Sequence, residues 1–145
     1  MQLNRISIIE SLAINCSLSL KQFCKAMQKH FGLPDFNFDF ENETEWGCVE
    51  VNGIEYNISR PYKAEILREW DETVPQGCNF SVSLEVSQEF LKGKESKSEL
   101  SDLLIRIGQG VADLFNRDVY YHRTWLGVGN NVTRNQIFHP IQRNI

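Results

Sequence analysis

No stretch of this chain approaches the ~18 continuous apolar residues that a membrane-spanning helix needs, and no basic amphipathic segment suits a membrane surface. The N-terminal run from Ile6 to Ile14 is broken by Ser7, Glu10 and Ser11 and is followed by no clean cleavage site, so it does not read as a secretory signal. Cysteine is sparse. Cys16, Cys24, Cys48 and Cys78 form no C-x-x-C pair, which argues against a zinc ribbon or a thioredoxin-type motif and leaves reduced, mostly buried thiols. Only three histidines occur, none paired with another His or Cys at ligand spacing, so neither a metal nor a cofactor is expected. Cations are in deficit, 15 Lys and Arg against 19 Asp and Glu. The net charge of −4 disfavours general nucleic-acid binding, which needs cations to displace phosphate counterions. Internal repeats and low-complexity tracts are missing too, which leaves one domain over residues 1-145 in the cytoplasm.

What is present is core material. Hydrophobic residues make up 41% of 145, including nine Phe, four Tyr and three Trp, enough to bury a core without disulfides. Two amphipathic helices emerge from the 3.6-residue period. The first is capped by Ser19 with Gln22 in a capping box, carries the stripe Leu20, Phe23, Cys24, Met27 and Phe31, and ends at Gly32. The second runs from about Ser98 to Asn116 with Leu100, Leu103, Leu104, Ile107, Val111, Leu114 and Phe115 on one face. Gly108 and Gly110 within it predict close packing against a sheet.

Strands fill the middle of the chain. Cys78 to Ser87 alternates strictly, with Phe80, Val82, Leu84 and Val86 inward and Ser81, Ser83, Glu85 and Ser87 outward. Trp46 to Val51 and Ile54 to Ser59 flank Asn52-Gly53, a type I′ turn dipeptide, and predict a hairpin. Phe36 to Phe40 and Val119 to His122 add two short strands, residues 62 to 71 are ambiguous between strand and helix, and Lys92 to Ser98 reads as an exposed loop. The tail after Gly127 has little apolar periodicity, and Leu126 to Asn131 reads as a turn, because no helix and no P-loop lysine follow its glycines. The expected fold is α+β, an antiparallel sheet of four to six strands, polar on one face, with the two helices packed on the other.

Charge is distributed unevenly. Between Asp35 and Glu50 stand six acids and no Lys or Arg, so this window holds −6 and the remainder of the chain +2. Its acids alternate with Phe36, Phe38, Phe40 and Trp46, a combination that suits recognition of a basic protein: aromatics supply anchoring contacts and carboxylates steer approach. The same alternation serves a half-buried strand. A second group, Tyr121, His122 and Arg123, combines a titratable imidazole with a guanidinium and an aromatic face, the makings of a small enzyme or of a nucleotide or phosphate site if His139 or His30 lies nearby.

In its size, its acidity, the acidic-aromatic segment around Glu45-Trp46-Gly47 and its sheet-plus-helices pattern, the chain resembles the small bacterial immunity proteins of polymorphic and contact-dependent growth-inhibition toxin systems. That resemblance implies a non-enzymatic protein, a monomer or homodimer, that neutralises one cognate basic toxin, often a nuclease. The implied contact surface comprises Asp35, Asp39, Glu41, Glu43, Glu45 and Trp46.

Overall fold

A computed structural model describes residues 7–70, 72, 74–86, 96–126 and 132–141, with side chains at 10–70, 72, 74–85, 102–121 and 136–141. Among these residues the elements in chain order are β1 (Ser7–Ile14), α1 (Leu20–Phe31), β2 (Asn37–Phe40), β3 (Thr44–Val51), β4 (Ile54–Pro61), α2 (Ile66–Trp70), β5 (Phe80–Val86), α3 (Ser96–Phe115), β6 (Val119–Leu126) and β7 (Val132–Phe138). All strands pair antiparallel in one sheet of order β2-β3-β4-β5-β1-β6-β7. The α+β class with two long helices on one face is as the sequence predicts, but the sheet has seven strands rather than four to six. The additional two are β1 and β7.

Local chemistry explains most boundaries. Ser19 Oγ accepts from the Gln22 amide at 3.2 Å while Gln22 Oε1 accepts from the Ser19 amide at 3.0 Å, closing the capping box. Gly32 ends α1 in the left-handed conformation at φ 67°. Asn52 and Gly53 both take positive φ, 52° and 82°, as a type I′ turn between β3 and β4 requires. The ambiguous 62–71 stretch contains a five-residue helix, and α3 begins at Ser96, inside the stretch expected to be loop.

The core lies between the sheet and the two long helices. Phe23 of α1 stacks on Phe80 of β5 and on Phe115 of α3, with ring centroids 4.3 Å apart in both pairs. Around it pack Leu12, Ile14, Ile58, Val82, Leu84 and Met27, all fully buried. Gly108 packs against the sheet, since a Cβ there would meet the Phe138 ring at 2.4 Å; Gly110 packs instead against Phe31 of α1, at 2.7 Å. The opposite sheet face is not wholly polar: Leu67, Val74 and Cys78 cover Ala13 and Tyr120 in a smaller cluster. Among the described residues no helix is long and apolar enough to cross a membrane.

Candidate binding surface

Register, rather than sequence proximity, assembles the surface. Directly paired residues of adjacent strands share a face. On the face of β2 to β5 away from α1 and α3, one row reads Asp39, Trp46, Ser59 and Ser81, and the next reads Asn37, Cys48, Asn57 and Ser83. A third row places Glu50, Glu55 and Glu85 directly opposite one another on three neighbouring strands. All three glutamates are exposed, and these strands contribute no Lys or Arg to this face. The Cys48 thiol among them has its pKa pushed up, first by partial burial, then by the negative charge of Glu55 and Asp39. The result is an acidic, hydroxyl-rich face with a half-buried indole, complementary to a basic surface.

The predicted acidic segment divides. Asp39 and Trp46 are cross-strand partners on the open face, and Asp39 Oδ1 accepts from the Phe40 amide at 2.8 Å. Glu41 and Glu43 occupy the β2–β3 turn, where with Asn42, Thr44 and Trp70 they line a hollow of about 500 Å³. Glu45 lies on the helix side of the sheet, its charge offset by Arg60 at 3.4 Å. Asp35 stands apart in the loop before β2, accepting from Gln28 Nε2 at 2.7 Å.

Several contributors were not evident from the local pattern. Trp70 is 50% exposed beside the β2–β3 turn, and Tyr62 is tied to the same turn by its amide, which donates to the Glu43 carbonyl at 3.0 Å. The acids Glu55 and Glu85 come from outside the window and join Glu50 by pairing alone.

The second predicted group does not form a surface site with Tyr121. Tyr121 is 5% exposed in the main core, and its hydroxyl donates to the carboxylate of Glu10, itself fully buried. His122 and Arg123 pair in register with Ser11 and Glu10 of β1; their side chains lie outside the described residues, as does the glycine-rich stretch 127–131. His139 follows the end of β7, where its Nδ1 stands 2.8 Å from Asp118 Oδ1. Asp118 is four residues before His122, roughly 13 Å at the rise of an extended chain. His30 packs edge-on against Phe31.

Among the described residues no three His, Cys, Asp or Glu side chains gather as a metal site would require. Compared with protein-family models, curated proteins and solved structures, the chain matches none.

Proposed function

We propose that this protein is a non-enzymatic binding protein, an immunity protein that neutralises a cognate basic toxin in the cytoplasm through its acidic-aromatic face. The observation that carries this reading is the open face of β2 to β5, which combines Asp39, Glu50, Glu55 and Glu85 with Trp46 and to which these four strands contribute no Lys or Arg. Such a surface attracts a basic partner at long range, while Trp46, with Trp70 near the β2–β3 turn, supplies the anchoring area that charge alone does not. The same arrangement disfavours general nucleic-acid binding, which draws much of its affinity from cations placed at the phosphates.

The test is capture from the native cell lysate by the tagged protein, run beside a Glu50→Lys, Glu55→Lys, Glu85→Lys triple variant. One basic polypeptide retained by the wild type, released by raised salt and not retained by the variant supports the reading. Retention that is indifferent to salt and to the variant, or no retained protein at all, rejects it.

A further inference from the structure

We propose that the groove between α1 and β2 is a second binding site, opposite in charge to the open face, which takes an extended glutamate-bearing peptide added as a strand along β2. This inference does not rest on the toxin reading.

The groove measures about 650 Å³, within the ~300–1,000 Å³ usual for ligand sites. One wall is α1, with Lys21, Lys25 and Lys29 on a single stripe, and Leu33, Phe36 and Phe38 make its apolar lining. Lys21 Nζ stands 5.9 Å from the centre of the Phe38 ring, so its ammonium is held over the groove. One carboxylate, Asp35, faces this stripe from the loop, and Gln28 holds it at 2.7 Å.

The other wall is a sheet edge. β2 is the outermost strand and pairs with β3 on one side. The Glu41 amide donates inward across the hairpin to the Thr44 carbonyl at 2.8 Å. Peptide direction alternates along a strand, so the Phe40 and Phe38 amides turn outward. Asp39 Oδ1 occupies the Phe40 amide at 2.8 Å, which blocks that end of the edge. Such carboxylate blocking is one way an edge strand resists unwanted pairing. The Phe38 end, beside the lysines, has no equivalent acid on β2.

The spacing selects the occupant. Lysines four residues apart on a helix are separated by about 6 Å along its axis. Alternate residues of an extended strand are separated by about 6.8 Å. Three acids at alternate positions of an extended peptide therefore match the spacing of the three lysines along α1. Glutamate fits better than aspartate, because its methylenes lie over Phe36 and Phe38 while its carboxylate reaches the ammonium groups. Main-chain pairing with the strand and a helix as the facing wall is a general mode of peptide capture.

The experiment uses the full chain and a fluorescein-labelled octapeptide of alternating Glu and Thr, followed by anisotropy. Saturable binding is expected, weakened about tenfold or more by Lys25→Glu and by raised salt. A peptide N-methylated at alternate amides should not bind, and hydrogen exchange at the Phe38 amide should slow on binding. Circular dichroism confirms that the variant is folded, and a Lys29→Gln variant provides a milder second test. The Glu50, Glu55, Glu85 triple variant should bind the peptide as the wild type does. No binding up to millimolar peptide, binding unchanged by both lysine variants, or equal binding of the N-methylated peptide overturns the proposal. Occupation of the groove by decanoate but not by the peptide overturns it too, in favour of an anionic amphiphile.

Discussion

The hydroxyl of Tyr121 on β6 donates to the carboxylate of Glu10 on β1, joining two neighbouring strands inside the main core. Glu10 is fully buried at a position where Leu12 and Ile14 beside it are apolar. A buried acid is tolerated only when its oxygens are bonded, and Arg123 stands opposite it in the ladder. Tyr121→Phe removes one donor and should destabilise the fold by about 1–3 kcal/mol. Glu10→Ala, which also opens a void, should cost about 3 kcal/mol or more. Urea unfolding checks both; a loss under 0.5 kcal/mol for either would show that the bond contributes little.

Gly108 presents a conflict between local and tertiary preference. Alanine is favoured over glycine in a helix by roughly 1 kcal/mol, so propensity alone predicts that Gly108→Ala stabilises α3. The Phe138 ring lies 2.4–2.8 Å from where that methyl would sit. Overpacking of this kind costs about 1–3 kcal/mol. The expected outcome is a net loss of stability, recovered in part by adding Phe138→Leu. A thermal melt of the single and double variants decides between the two effects.

Elements with a clean period were readable from sequence. Helix α1 announces its cap, stripe and stop, and β5 alternates without exception over its described side chains. Strand β1 was hidden because Glu10 breaks the alternation at a core-facing position, and the fold accommodates it through Tyr121. Strand β7 was hidden because Phe138 is buried while its apolar neighbour Ile137 is exposed, so the pattern carries little contrast. Helix α2, at five residues, is too short to display a period. The candidate surface was legible only in part: Asp39 and Trp46 share it, but Glu45 faces the other way toward Arg60. The pairing that brings Glu85 to Glu55 depends on register between neighbouring strands whose residues lie far apart in the sequence, which spacing does not encode.

Cys24 ties stability to alkaline pH. Its thiol is 1% exposed, and burial, then the nearby charge of Glu45, pushes its pKa from an ordinary 9.0 to about 12. The folded value lies above the unfolded one, so the favourable contribution is complete below pH 9 and is lost as pH rises toward 12. Over that window Cys24 should contribute a slope of at most about 1.4 kcal/mol per pH unit. Burial raises the Tyr56 hydroxyl as well, with the same sign. Urea midpoints measured from pH 8 to 11 should fall, and less steeply in Cys24→Ala. At pH 8 iodoacetamide should leave Cys24 unmodified in the folded protein and modify it in denaturant.

The row Glu50, Glu55 and Glu85 should trade stability against binding. Like charges directly opposite one another across strands destabilise a sheet by about 0.2–1 kcal/mol per pair, and Glu55 at the centre takes part in both pairs. A surface held for folding alone would gain by losing that charge. Glu55→Gln removes both repulsions while keeping the side chain's length, so it should raise the urea midpoint by an amount equivalent to about 0.5–1 kcal/mol. Added salt screens the same repulsion, so the wild type should gain more stability from 0.3 M NaCl than the variant does. If the row serves a basic partner, the variant that folds better should associate more slowly, and the difference should vanish at high salt where steering is screened. A Glu55→Gln protein less stable than the wild type would mean that the three carboxylates are compensated in the fold, and the row would lose its standing as a surface held for binding.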